Sequence, residues 1–196
     1  MKALKSLPYA IAISIICLST YSHANDKLIP IEYLTNYPPE LQAEFNDAKE
    51  LCEGAQYGVV DFESALSAEP GYITRADITG DGRDDYIVNT ARLVCEYGAS
   101  IWGNFPPFSI YQGLPNNRAT VIYNSYSFNA SDEKYPRVVS NDQGYFDIQT
   151  IGSDRDCGQE GSYSFASMEA CEITQHWNNN IQDMETKTVK VLSFGH

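Results

Sequence analysis

The period of apolar and polar positions changes once along this chain. Between residues 38 and 54, Leu41, Phe45, Ala48 and Cys52 recur at helical spacing, with Glu40, Glu44, Asp47 and Glu50 between them. An α-helix turns once in 3.6 residues, so this spacing lays an apolar stripe along one side. Pro38 and Pro39 suit a first turn, the early acids favour the positive end of the helix dipole, and Gly54 suits an end. The pattern predicts one amphipathic helix with its stripe packed on a sheet.

After that stretch come short runs rich in aromatic and β-branched residues, separated by Gly, Asn, Asp and Pro. They predict strands at 72–76, 85–94, 108–112, 119–126, 137–140, 145–151, 171–177 and 186–192. Turn residues stand between several of them, at Leu114-Pro115-Asn116-Asn117, Asn141-Asp142-Gln143-Gly144 and Trp177-Asn178-Asn179-Asn180. Such short connections join antiparallel neighbours, whereas parallel neighbours need a long crossover. The expected class is therefore α+β, one N-terminal amphipathic helix on a mainly antiparallel β-sheet.

The first residues have a different texture. Lys2 and Lys5 precede an apolar run over 10–18, and Ser22-His23-Ala24 follows with small side chains at the positions a signal peptidase reads. This predicts a secretory signal peptide over 1–24, cleaved after Ala24, with a single domain over 25–196 and no membrane span in the mature chain. Ile15 and Ile16 before Cys17 are bulkier than a lipoprotein cleavage site accepts, which argues against lipid attachment there. The full chain carries a formal charge of −13, and loss of two lysines with the signal takes it to −15. A nucleic-acid partner is excluded on that balance; a cation or a basic partner is not.

Four cysteines follow the signal: Cys52, Cys95, Cys157 and Cys171. An even number in an exported chain predicts two disulfides. Three connectivities exist. Cys52–Cys95 with Cys157–Cys171 is favoured, because the second bridge closes a short polar loop and the first straddles residues 77–85. Zinc is disfavoured, since no C-x-x-C spacing occurs and only His176 and His196 follow the signal.

Residues 77–85 read Asp-Ile-Thr-Gly-Asp-Gly-Arg-Asp-Asp. Oxygen-bearing side chains alternate at Asp77, Thr79 and Asp81 and return at Asp85, and a tightly wound loop turns alternate side chains inward. Calcium takes six to eight oxygens, and Gly82 permits the sharp turn. The expected ligands are the carboxylates of Asp77, Asp81 and Asp85, the Thr79 hydroxyl or a water on it, and the Arg83 backbone carbonyl. Three carboxylates so close would repel one another without a cation. Val88 at the twelfth position, where an EF-hand has a bidentate glutamate, excludes an EF-hand.

The pattern D-x-x-G-D-G-x-x-D followed by Tyr86-Ile87-Val88 resembles the calcium loop of FG-GAP and VCBS repeats. That resemblance implies a loop joining two antiparallel strands and holding Ca2+; one copy over about twelve residues implies no propeller. The family has Asn where this chain has Thr79, a weaker ligand. With Cys95, Cys157-Gly158, Cys171 and Trp177, the chain also resembles small exported bacterial proteins that carry one such loop. They often have a further cysteine-glycine cluster where this chain has Trp102-Gly103-Asn104-Phe105-Pro106-Pro107-Phe108. That resemblance implies export and calcium and lends no activity.

No G-x-S-x-G elbow, phosphate loop or dinucleotide fingerprint occurs, and His176 reads as a structural histidine beside Trp177. Trp102, Phe105 and Phe108 form an aromatic cluster that is a recognition loop if exposed and a second core if buried. Asn129-Ala130-Ser131 matches a glycosylation acceptor and reads as a turn. Three functions compete. The first is a noncatalytic periplasmic or secreted, calcium-stabilised binding or inhibitory protein, such as an immunity protein or a hydrolase inhibitor, that meets another periplasmic or incoming protein. The second is a glycan-acting hydrolase with paired carboxylates. The third is a structural envelope protein.

Overall fold

The computed structural model describes residues 29–30, 34, 36–54, 66–95, 102–128, 135–142, 144–158 and 170–192. The signal segment 1–24, the Asn129 acceptor and His196 lie outside them. In chain order the elements are β1 (Ile29–Pro30), α1 (Pro39–Gly54), β2 (Leu66–Ala68), β3 (Ile73–Ala76), β4 (Asp85–Asn89), β5 (Leu93–Cys95), β6 (Pro107–Leu114), β7 (Arg118–Tyr126), β8 (Arg137–Ser140), β9 (Phe146–Ser153), β10 (Ala170–Asn178) and β11 (Asp183–Leu192). Short 3-10 turns lie at Thr90–Arg92 and Asp154–Cys157.

The α+β expectation is corrected. Among the described residues strands dominate, in three antiparallel sheets ordered β1-β2-β5, β3-β4-β6-β7 and β11-β10-β9-β8, with one α-helix, so the class is mostly β. The reason lies in both faces of the second sheet being apolar. Along β4, Tyr86 and Val88 join the core under α1, while Ile87 joins a separate core shared with the third sheet. The α1 stripe of Leu41, Phe45, Ala48 and Cys52 is buried on the first face. On the other face Phe108 and Ile110 of β6 meet Ile148, Trp177 and Met184 of β9, β10 and β11. One sheet was expected; two stack as a sandwich, because the hairpins after residue 135 pair among themselves.

Hairpin connections organise both sheets. Asn116 and Asn117, with φ of 64° and 54°, turn β6 into β7, a conformation asparagine adopts more readily than most side chains. Glu40 in the first turn of α1 accepts hydrogen bonds from the Arg118 guanidinium and the Ala119 N–H, which ties the helix to this hairpin.

The strand expected over 85–94 is broken. Asn89 is buried, and its side-chain oxygen accepts the Ala91 N–H at 3.1 Å, giving the backbone a turn in place of the next ladder bond. The chain thereby leaves the second sheet and enters the first as β5. This detour brings Cys95 to Cys52 on α1, and the two are bridged with Cα atoms 5.8 Å apart. Cys157 and Cys171 form the second disulfide, at 5.7 Å. Among the described residues no helix is long and apolar enough to cross a membrane.

Candidate functional site

The Asp77 loop joins β3 to β4, which pair from Ala76 with Asp85 to Ile73 with Val88. Asp77 Oδ1 accepts the N–H groups of Gly80 and Asp81 at 2.8 and 3.1 Å, and its Oδ2 accepts that of Gly82 at 3.0 Å. Asp85, wholly buried, takes the Ile78 and Thr79 N–H groups on Oδ2 at 2.9 and 2.8 Å and the Gly113 N–H on Oδ1 at 3.0 Å. Asp81 takes the Arg83 N–H on Oδ1, and the Arg83 guanidinium and Gln112 amide on Oδ2, at 2.9, 2.7 and 3.1 Å. Gly80 and Gly82 have φ of 74° and 82°, the left-handed region in which a side chain is costly.

Nine N–H bonds thus end on three carboxylates. They answer the repulsion that the sequence alone assigned to a cation. As they stand, Asp77, Asp81 and Asp85 are each gathered by their own donors, and among the described residues no three carboxylate, imidazole or thiol side chains meet as a metal centre. The Arg83 guanidinium holds Asp81, and Asp84 is exposed.

The donor set still has the chemistry of a hard-cation site. A carboxylate oxygen has two lone pairs. Asp77 Oδ2, Asp81 Oδ1 and Asp85 Oδ1 each take one N–H, so every aspartate keeps an oxygen with acceptor capacity to spare. The Thr79 hydroxyl is buried against Asp85 without completing a hydrogen bond.

Electrostatics separate the aspartates. Burial works against the charge of Asp81, but the Arg83 N–H, the Gln112 amide and the Arg83 guanidinium outweigh it and hold the carboxyl below its ordinary value. For Asp85 burial prevails over the surrounding donors and pushes the carboxyl up.

The loop also ties the two stacked sheets together. The Asn179 amide, in the turn between β10 and β11, donates to the Thr79 carbonyl at 3.0 Å, and the Trp177 indole N–H donates to Asn179 Oδ1 at 3.0 Å. The Tyr145 ring lies 3.1 Å from where a Gly80 Cβ would stand. Arg83 Nε donates to the Gly113 carbonyl at 3.2 Å. One loop thereby reaches the end of β6 and the β8–β9 and β10–β11 connections.

The aromatic segment is not a single surface. Phe108 is 1% exposed inside the sandwich, Trp102 packs toward the α1 core, and Phe105 rests on Phe128 with ring centroids 5.0 Å apart. Three side chains expected together serve three different contacts, because the turn over residues 102–105 before β6 splays them.

A concave surface lies elsewhere, beside the core shared by the two stacked sheets. Edge strand β7 and the inner face of the third sheet separate there, leaving a groove of about 300 Å³. Tyr123, Ser125 and Tyr126 form one wall, and Thr150, Ile173 and Gln175 form the other. Asp156 and Thr186 close it. Tyr126 is 67% exposed, and Val189 and Val191 of β11 are also open to solvent. By register these valines share a sheet face with Ile173 and Gly152. No periodic signal marks these residues in the sequence; they meet only through long-range stacking of the two sheets. No protein-family model, curated protein or solved structure matches this chain.

Proposed function

We propose that the protein is a noncatalytic binding or inhibitory module of an oxidising compartment outside the cytoplasm, with Ca2+ in the Asp77 loop acting as a brace and recognition at the groove. The observation that carries this reading is the position of the loop, which touches Gly113 at the end of β6 and Asn179 and Tyr145 of two connections in the third sheet, with most of its carboxylate oxygens turned toward backbone N–H groups. An ion there would stiffen the joint between sheets; it would not face a substrate. Catalytic metals need an open position and acid or base groups beside it. The groove lies elsewhere; among the described residues it is lined by one carboxylate, Asp156, and paired-carboxylate hydrolysis requires two.

The two disulfides support an oxidising compartment, and the signal-like residues 1–24 support export to it, in the periplasm or beyond. Calcium is supported by the all-oxygen donor set, the spare acceptor on each of Asp77, Asp81 and Asp85, and the unsatisfied Thr79 hydroxyl. Binding would draw these oxygens together and leave the N–H bonds in place.

Thermal unfolding with calcium and with a chelator tests the brace, alongside calorimetric titration of the metal-free protein. A ligand at 100 times its Kd stabilises by about 2.7 kcal/mol, so the melting temperature should rise by several degrees in saturating calcium. Asp81→Ala should abolish the rise, since Asp81 is exposed and its loss leaves the buried network in place. No calorimetric binding and one melting curve under both conditions would overturn the calcium assignment.

A further inference from the structure

We propose that the groove between β7 and the third sheet binds the terminal part of a neutral saccharide chain. This rests on the reading of the molecule as a binding module and names what the groove takes. Sugars present hydroxyls that need directed partners and C–H patches that stack on aromatic faces. The groove supplies both kinds of contact. Ser125, Thr150 and Thr186 offer hydroxyls, Gln175 an amide, Asp156 a carboxylate, and Tyr126 an exposed aromatic side chain at the rim.

Competing ligand classes fit less well. Among the described residues no lysine, arginine or histidine lines the groove, so an anionic ligand would meet Asp156 with no compensating charge from them. A wholly apolar ligand would strip water from the hydroxyls, the amide and the carboxylate and return no hydrogen bond, which costs free energy at each group. The volume of about 300 Å³ lies at the small end of ligand sites, the scale of the end of a chain.

The walls are held before any ligand arrives. A Cβ on Gly152 would lie 2.5 Å from Ile173 Cδ1 and 2.6 Å from Asp156 Cβ, so glycine at the floor is what allows the 3-10 turn to fold Asp156 over it. Asp156 Oδ2 accepts the Ser153 N–H at 3.1 Å, and Oδ1 is left to take a sugar hydroxyl. The Cys157–Cys171 bridge fastens that turn to β10. Gln175 Nε2 donates to the Tyr123 hydroxyl at 3.4 Å and links the opposing walls.

The test is an NMR titration of the isotope-labelled, disulfide-intact protein with maltose, cellobiose and N,N′-diacetylchitobiose, each followed for cleavage by chromatography. At least one disaccharide should shift the amides of β7, β9 and β10 around the groove. Tyr126→Ala should weaken that binding by about tenfold or more and Asp156→Asn by about tenfold, with unchanged melting temperatures because both side chains are exposed. The proposal is overturned if none of the three sugars shifts those amides at tens of millimolar, or if both variants bind as the parent does. A response to tetra-alanine in place of the sugars would also overturn it and leave the binding-module reading intact. Cleavage of a bound disaccharide would uphold the saccharide site and remove the noncatalytic reading.

Discussion

Asp85→Ala tests whether the Asp77 loop is held by its own N–H donors. Asp85 is wholly buried and accepts three backbone hydrogen bonds, from Ile78, Thr79 and Gly113. Truncation to alanine removes all three at once and puts no side-chain acceptor in their place. Bonds to a charged acceptor contribute roughly 1.5–3 kcal/mol each, and a stranded buried N–H costs about 1–3 kcal/mol. Three such losses give roughly 4.5–9 kcal/mol, and relief of the burial cost on the carboxylate together with relaxation around the freed N–H groups returns about half. We expect a net loss of about 3–4 kcal/mol, a large share of the 5–15 kcal/mol typical of a domain. Asp85→Asn, which keeps one carbonyl oxygen for the Ile78 and Thr79 pair, should lose about half as much. The assay is equilibrium urea unfolding at neutral pH with disulfides intact and a chelator present, so that any bound ion contributes nothing. Asp84→Ala is the control, since Asp84 is exposed and should change stability by less than about 0.5 kcal/mol. If Asp85→Ala unfolds within about 1 kcal/mol of the parent, the network is not what holds the loop.

Gly113→Ala should destabilise by a similar amount, about 3 kcal/mol, because its Cβ would stand 2.0 Å from the Asp84 carbonyl oxygen and push the Gly113 N–H off Asp85; in urea unfolding the double variant with Asp85→Ala should cost clearly less than the two added, and strict additivity would refute the shared cause. Tyr72 and Tyr111 predict alkaline sensitivity. Burial first, then the Glu44 charge, raises Tyr72 well above the usual tyrosine range; burial, the 2.6 Å hydrogen bond to Glu44, and nearby acids do the same for Tyr111. Both stay neutral in the fold while the unfolded chain ionises near pH 10, so their stabilisation is complete below that pH and is lost above it, at about 2.7 kcal/mol per pH unit for two protons. A tyrosinate absorbance titration in which every tyrosine of the mature chain ionises smoothly near pH 10 with the near-UV signal of the fold intact would refute this.

Legibility followed the range of the interaction that made each feature. The α1 stripe and most strands rest on local periodicity, and each predicted strand from residue 108 onward lies within a residue or two of an observed one on most sides. The break after Asn89 was missed because an apolar run at 85–94 outweighed one asparagine, although that asparagine's bond to the Ala91 N–H is itself a local turn signal. Partition of the hairpins into two stacked sheets was not readable, since Ile87 and Val88 are equally apolar and only the fold decides that they face different partners. The same blindness affected Trp102, Phe105 and Phe108, which sequence proximity grouped and packing separated. The groove was least visible of all. Tyr126 and Gln175 are 49 positions apart and become opposing walls only when the sheets stack.

The Asp77 loop shows why an aspartate-glycine pattern has two physical solutions. Alternating carboxylates need positive partners, and a tight turn supplies them from within, as consecutive N–H groups that glycine leaves free to point inward. Gly80, Asp81 and Gly82 aim three such groups at Asp77, and Ile78 and Thr79 aim two at Asp85. A cation loop needs the same glycines and the same acids, so the pattern alone does not separate an N–H brace from an ion brace. The two differ at Asp81. In an N–H brace it belongs to Arg83 and Gln112 on the surface, and its removal affects only those contacts. In an ion brace it is a ligand, and its removal erases the response to calcium while the buried network around Asp85 survives. Comparing Asp81→Ala with Asp85→Ala in calcium and in chelator therefore separates the two contributions, the first variant losing only the calcium-dependent part and the second losing stability under both conditions.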